Sequence, residues 1–502
     1  MRALLVTSVG VTCAAALTLP LAAPASSAPV LSSASARPPS LTTEPRTDTA
    51  TTSGTTTSDT TAPDGAEPRA AKSAAEPAGS TQSLPLAPLA VPSNRVAGAP
   101  VVQGLPQRDA RPFSLVGVVW DDAEAELHGT VQVRTRATGT TRWSDWQDVE
   151  THNADHAADL GSAEREGRTV RGATAPLWVG DSDGVEVRVR PESPAAAEAP
   201  GSQDRAATPV PLPEGMRLEL VDPGEDPAPE PARGAPANRA AVPAVFADTP
   251  PTAALPEVLT AEIAAASAVN AEVAELGASV IPALTQAETV ESVNLAPGAK
   301  PYIGPRPRIV TRKGWGADEK LRERNFGYTK SVKAAFVHHS ATGNNYTCKQ
   351  APSVLRSIYR YHVKSSGWRD FGYNFAVDKC GNIYEGRAGG VTKAVLGAHT
   401  LGFNTNTMGI AVLGSYGSTN PPAAAVTAVS KLTAWKLGLF GANPKGKVTL
   451  VSGGSNKYRK GVKVKMNVIS GHRDGFATEC PGARLYKKLG TARTSSAKLQ
   501  GR

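Results

Sequence analysis

The sequence predicts an α/β domain over residues 301–490, a mixed central β-sheet with helices on its faces, preceded by a smaller β-sandwich-like domain over 99–222 and by disordered linkers. Three observations lead there. From about residue 301, short apolar runs alternate with segments whose apolar residues recur at helical spacing. Residues 131–133, 185–189 and 216–220 instead alternate apolar and polar with period two, which marks half-buried strands. Residues 29–98 contain no Phe, Trp, Tyr or Cys, so they cannot bury enough apolar area to offset their ordering entropy.

The 502-residue chain opens MRALLVTSVGVTCAAALTLPLAAPASSAPV: one Arg, an apolar run of signal-sequence length, then Ala and Ser at candidate cleavage positions near Ala25 or Ala28. Residues 1–28 are expected to be a signal peptide and the mature chain to be exported with no transmembrane segment. The apolar run is too short and too rich in Ala and Thr for a span. Gly10-Val11-Thr12 before Cys13 also lacks the lipoprotein pattern. Residues 29–98 read as a Pro/Ser/Thr-rich disordered linker.

The β-rich module over 99–222 rests on Val131 and Val133, on Val185, Val187 and Val189 interleaved with Glu186, Arg188 and Arg190, and on Met216, Leu218 and Leu220. It also holds Trp120, Trp143, Trp146 and Trp178. Core positions are preferred for these over a glycan- or partner-binding surface, because core tryptophan is the commoner role. Residues 223–300 are a Pro/Ala-rich linker, in which 256–286 is a candidate helix with a thin apolar face.

In the C-terminal domain, KAAFVHH (333–339) is a short apolar strand, and APSVLRSIYRYHVK (351–364) is a helix with Pro352 in its first turn. YNFAVD and NIYEGR flank Lys379-Cys380-Gly381 as a hairpin, and TMGIAVLGSY (407–416) is a central strand. Asn420, Pro421 and Pro422 start a helix whose Val426, Val429, Leu432 and Trp435 share one face. Residues 491–502 read as a tail.

Residues 301–502 carry 33 Lys+Arg against 8 Asp+Glu, leaving 21 against 37 for the first 300. A domain this basic seeks polyanions. Export makes anionic cell-wall polymers and peptide carboxylates the expected partners rather than nucleic acid, and neither DNA-binding nor membrane-active segments are found. The plainer alternative is that the charge maintains solubility and that KYRKGVKVK (457–465) is a solvated loop or strand edge. The acidic half is a candidate to dock on the basic half.

Once Cys13 leaves with the signal, three cysteines remain. In an oxidising compartment two thiols pair and the third needs an explanation. Cys348 and Cys380 flank the candidate helix and hairpin. Cys480, eight residues after His472 in GHRDGFATECPG (471–482), is the better candidate for a thiolate. A buried free thiol, or a disulfide from Cys480 to one of the others, is the alternative. His338 in AAFVHHSAT (334–342) completes a His-His-Cys set one ligand short of a tetrahedron. The open corner is where catalytic zinc keeps its water, and the pattern points to a metallohydrolase.

Together, TRKGWGADEKLR, FVHHSAT, YHVKSSGWRDFGYNF, DKCGNIYEGRAGG, GAHTLGFNTNTMGIAVLGSY and GHRDGFATECPG resemble, in order over about 308–490, the peptidoglycan recognition protein and type-2 N-acetylmuramoyl-L-alanine amidase family. The module and spacers look like those of secreted actinobacterial members. The resemblance implies one zinc ion on His338, His472 and Cys480, with Tyr373 and Thr478 as catalytic residues. It places His362 and His399 in the muramyl-peptide groove. It also implies that Gly367 with Trp368 goes with stem peptides bearing diaminopimelate. The plainer alternatives are a sheet aromatic for Tyr373, a turn former for Thr478 and buried, hydrogen-bonded roles for the two histidines. His339, next to a ligand on a strand, points to the opposite face.

Where some related cytoplasmic amidases place a catalytic glutamate, this chain has Ala411, and Glu385 is read as structural. The expectation is a monomeric, secreted, cell-wall-associated zinc amidase cutting the bond between N-acetylmuramic acid and L-alanine, with a Cys348–Cys380 disulfide. The alternative is a binding module of the same fold, and Cys480 separates the two, because binding-only members generally lack it.

Overall fold

The computed structural model describes residues 79–89, 101–151, 156–162, 164–192, 210–227, 259–293 and 301–502. The expected signal peptide and most of the Pro/Thr-rich linker lie outside them. The described residues all belong to one compact unit, 72–502.

The module contributes β1 (Ser80–Pro85), β2 (Ala87–Pro88), β3 (Gln103–Trp120), β4 (Gly129–Ala137), β5 (Gln147–Val149), β6 (Gly172–Ala173), β7 (Leu177–Pro191) and β8 (Arg217–Asp222). Among the described residues they form one antiparallel sheet in the order β1-β8-β3-β7-β4-β5, with β2 and β6 pairing to β3. Period-two alternation has its expected effect. Val116, Val118 and Trp120 of β3, Val131 and Val133 of β4, Val185, Val187 and Val189 of β7, and Leu218 and Leu220 of β8 fill the module core. Leu115, Val119 and Val221, of opposite parity, face a second core shared with the C-terminal domain. Register shifts along β3 and β7 let these long strands bend.

Two sequence readings change here. Ser80–Pro85, within the stretch read as linker, pairs with β8 from Ser80↔Asp222 to Pro85↔Arg217. Its side chains are mostly half-buried or exposed, so backbone pairing rather than apolar content holds it, and composition did not reveal it. The tryptophans divide: Trp120 and Trp178 are buried, whereas Trp143 and Trp146 are half-exposed. The Arg188 guanidinium lies 3.9 Å and that of Arg134 5.0 Å from the Trp146 ring centre, a cation–π stack on the sheet surface.

The C-terminal domain contains α1 (Ala261–Ala268), β9 (Val280–Ile281), α2 (Gln286–Glu291), β10 (Ile309–Val310), β11 (Ala334–His339), α3 (Ala351–Arg360), β12 (Phe375–Val377), β13 (Ile383–Glu385), β14 (Thr407–Val412), α4 (Ala423–Leu439), β15 (Lys447–Val451), β16 (Lys463–Asn467), β17 (Ile469–Gly471), α5 (Ala483–Tyr486) and α6 (Leu489–Leu499). Its sheet runs β17-β11-β14-β12-β13-β10-β9. The first four strands are mutually parallel, and β13 and β9 pair antiparallel to their neighbours β12 and β10. The lysine-rich run 457–465 ends in β16, which forms a separate hairpin with β15.

Ile410 and Val412 of β14 pack with Val429, Leu432 and Trp435 of α4, and Ala411 and Leu413 with Leu355 and Ile358 of α3. Helix α3 therefore lies between two sheets, its own and the module's. Among the described residues, the candidate helix in 256–286 is helical over α1 and at Gln286, where α2 begins. Soon after α1, Asn270 turns inward to donate to Glu385 Oε1 at 2.8 Å and to accept from the Val391 N–H. Ile281 then pairs on the sheet edge as β9. The residues read as a tail supply most of α6, whose Ala492 joins the same core as α4, while the Gln500 amide beyond it donates to the Ala434 carbonyl.

Candidate metal centre and groove

Strands β11 and β17 are parallel neighbours with Val337 level with Gly471, so His338 and His472 leave the carboxyl end of the sheet side by side. Their ring centres are 4.5 Å apart. Cys480 returns to them on a loop braced by the Arg473 N–H donating to the Cys480 carbonyl and by the Cys480 N–H donating to Thr478 Oγ1 at 3.2 Å. Cys480 Sγ lies 3.7 Å from His338 Nδ1.

The fourth member of this cluster was not anticipated. His156, on the loop between β5 and β6 of the module, brings Nε2 to 3.5 Å from Cys480 Sγ. His156, His338, His472 and Cys480 are all buried, with ligand atoms within 4.8 Å of one another. The donor set fits zinc: Zn–S of about 2.3 Å and Zn–N of about 2.0–2.1 Å at tetrahedral angles set S···N edges near 3.6 Å, and the two measured edges are 3.5 and 3.7 Å.

The protonation of His338 follows from its surroundings. Burial and neighbouring imidazoles hold His338 and His399 well below the ordinary imidazole range, so each is neutral and carries one ring proton. Thr407 Oγ1 donates to the Phe403 carbonyl at 2.6 Å, which leaves it to accept from His399 Nε2 at 3.4 Å. His399 Nδ1 is then an acceptor and takes the Thr400 hydroxyl proton at 3.0 Å. Thr400 Oγ1 in turn accepts from His338 Nε2 at 3.4 Å. The lone pair of His338 is therefore on Nδ1, the nitrogen facing Cys480. This outer hydrogen-bonding is what orients metal-ligating histidines.

Tyr373 is buried with its ring 5.2 Å from that of His338 and 5.8 Å from that of His156. His362 stacks on Trp368 at 4.4 Å, and its Nδ1 accepts from the Gly372 N–H. Gly367, at φ +79°, takes a left-handed conformation that favours glycine, and a Cβ there would collide with the carbonyl of Thr169 from the module. His399 is fully buried behind His338, engaged by Thr400 and Thr407, rather than on an open wall. Thr478 is half-buried, its oxygen accepting from Cys480.

His339 accepts from the Tyr416 N–H and reaches Glu150 of the module at 3.4 Å. Ala411 stands level with His338 on the adjacent strand, so no carboxylate occupies that place. Glu385 is held by Asn270 and the Arg312 N–H, and burial pushes it up to about 7. Cys348 and Cys380 form a disulfide, and Cys480 stays outside it.

The sequence signal for His156 was slight. It and His152 stand four residues apart in the polar stretch THNADHAADL, and nothing there indicates a contact with residues more than 180 positions away.

Residues 328–483 match the N-acetylmuramoyl-L-alanine amidase family, and residues 68–210 match the Rv3811 N-terminal galactose-binding domain-like family. Peptidoglycan-recognition protein SC2 of Drosophila simulans is 32% identical over 185 residues, 36% of this chain and 85% of that protein. A human N-acetylmuramoyl-L-alanine amidase is 31% identical over 194 residues, 37% of this chain and 28% of that protein. The solved structure of Drosophila PGRP-LB is 24% identical, covering 36% of this chain and 92% of that one with a TM-score of 0.29. With its amidase-family match and this similarity across most of a recognition protein, the chain belongs to the peptidoglycan recognition protein and type-2 amidase family.

Proposed function

We propose that this chain is an exported, zinc-dependent N-acetylmuramoyl-L-alanine amidase that hydrolyses the amide between N-acetylmuramic acid and L-alanine in peptidoglycan. The observation that carries the reading is the thiolate candidate Cys480, 3.7 Å from the lone-pair nitrogen of His338 and beside His472 at the sheet's carboxyl end. Zinc bound there supplies Lewis acidity and a nucleophile at neutral pH.

The remaining work falls to side chains. The Tyr373 hydroxyl hydrogen-bonds the oxygen that gains charge as the amide carbonyl is attacked, a role that pre-set donors fill well in a water-poor site. Thr478 assists it and braces the cysteine loop. Gly367, Trp368 and the stacked His362 line the groove for a stem peptide of the diaminopimelate type, and His399 fixes the protonation of His338. The excess of Lys and Arg after residue 301 attracts stem-peptide carboxylates and anionic wall polymers. The Cys348–Cys380 disulfide suits an oxidising compartment, in line with a protein secreted to the cell wall.

The test is release of free stem peptide from purified sacculi, with and without a chelator. Chelator-sensitive release that disappears in Cys480→Ala is expected. A second reading, recognition without cutting, is favoured by one observation: His156 stands where a catalytic site keeps an open position. No release by either the zinc-loaded parent or a zinc-loaded His156→Ala variant would select that reading.

A further inference from the structure

We propose that residues 156–162 and 164–171 of the module form a built-in plug, with His156 as a displaceable fourth metal ligand, so that the folded chain is latent until the plug withdraws. The proposal rests on the amidase reading above. His156 Nε2 is as close to Cys480 Sγ as His338 Nδ1 is, within 0.2 Å. Three protein ligands leave a catalytic zinc site open, and a fourth closes it.

Beyond His156 the same segment crosses the groove. The Ala157 carbonyl accepts from the Asn404 amide at 2.9 Å, and Asp159 Oδ1 accepts from the Gly402 N–H at 2.7 Å and from the Asn404 amide at 2.8 Å. Glu164 pairs with Arg387 at 2.6 Å. Arg168 donates to the Trp368 carbonyl at 3.1 Å, the Thr169 carbonyl sits against Gly367, and the Arg171 N–H donates to the Ser366 carbonyl. The Gly-Trp pair assigned to the stem peptide is thus already occupied, by backbone and side chains of the chain's own module.

The plug is attached differently from the rest of the module. Leu115, Val119, Trp178 and Val221 join the apolar core around α3, and the Tyr361 hydroxyl donates to the Thr174 carbonyl inside it. The plug is held by hydrogen bonds and an ion pair, whose partners water takes over when the segment lifts. Leu160 is 45% exposed. A half-open pocket of about 450 Å³ adjoins the segment, bordered by Ala157, Leu160, Val170, Trp368, Leu401 and Phe476 among others. The module residues that pack around α3 all lie outside the plug, so the sheet's docking does not depend on it.

The test uses the full chain loaded with Co²⁺, whose visible spectrum reports its ligands, with acetohydroxamate as the probe for an open position. The parent spectrum should ignore acetohydroxamate, and that of His156→Ala should shift with it. Glu164→Gln, which removes the charge paired with Arg387 and leaves the four cluster residues unchanged, should give a partial shift with His156 intact. A closed state favoured by a few kcal/mol leaves on the order of 0.1–10% open, so stem-peptide release by His156→Ala should rise about 10- to 1000-fold. A parent spectrum that responds as His156→Ala does, or a His156→Ala spectrum that matches the parent and ignores the probe, overturns the plug. A probe response confined to the variants, without any hydrolysis, upholds the plug and overturns the amidase reading instead.

Discussion

His338 and His156 face the same sulfur at 3.7 and 3.5 Å, but they are mounted differently. His338 is the next-to-last residue of a fully buried strand, paired on both sides, and its ring is oriented through Thr400, His399 and Thr407 back to a main-chain carbonyl. His156 rides on a loop of another module, whose neighbouring residues hold it by hydrogen bonds that solvent can replace. If the cluster holds zinc as proposed, it therefore consists of three firmly mounted ligands and one removable one. What distinguishes a closed structural site from a latent catalytic one is the support behind each ligand.

Removing a fixed ligand should have the largest effect. Cys480→Ala should lower zinc affinity by more than the roughly 10- to 100-fold seen for outer-shell changes and abolish stem-peptide release, read as zinc content after dialysis and as activity. Retained zinc with normal release would make Cys480 dispensable and erase the contrast with His156. Tyr373→Phe comes next. Loss of one donor to the developing oxyanion should cost about 10²- to 10³-fold in kcat, with zinc content unchanged. Parallel loss of zinc would move Tyr373 from the chemistry to the scaffold.

The convergence of His338, His472 and Cys480 was legible in the sequence because strand ends and a cysteine turn place them locally: KAAFVHH is a strand with His338 near its end, and GHRDGFATECPG folds back within twelve residues. The main strands and helices from β11 to α4 were legible for the same reason, since β14 is apolar after Thr407 and α4 carries its apolar residues at helical spacing. His156 was not legible, because its role depends on how one domain docks on another. β1 was hidden by its composition, and the shortness of α1 by the buried Asn270–Glu385 contact.

The hydrogen-bond chain behind His338 offers a subtler break. Thr407→Val keeps shape but leaves His399 Nε2 without its acceptor, so Thr400 and His338 can reverse their proton order. Zinc affinity should fall about 10- to 100-fold, while cobalt-loaded protein stays unresponsive to acetohydroxamate because His156 is untouched. His156→Ala should do the reverse, opening the site with less loss of metal. If both variants open the site equally, the division into fixed and removable ligands fails.

The smallest effect concerns Thr478, whose oxygen accepts the Cys480 N–H at 3.2 Å. If its main duty is to hold the cysteine loop, Thr478→Ala removes one neutral hydrogen bond worth about 1 kcal/mol, a factor of about five. Zinc affinity and stem-peptide release should then fall together, and Thr478→Ser should restore both. If the hydroxyl acts mainly on the reacting amide, release should drop about 100-fold with zinc affinity unchanged. The ratio of the two losses assigns Thr478 either to the supports that make Cys480 a fixed ligand or to the reacting groups beside Tyr373. The Cys480 N–H occupies one lone pair of that oxygen and leaves the hydroxyl hydrogen able to donate, so the ratio of the two losses, and not the bond itself, decides between the roles.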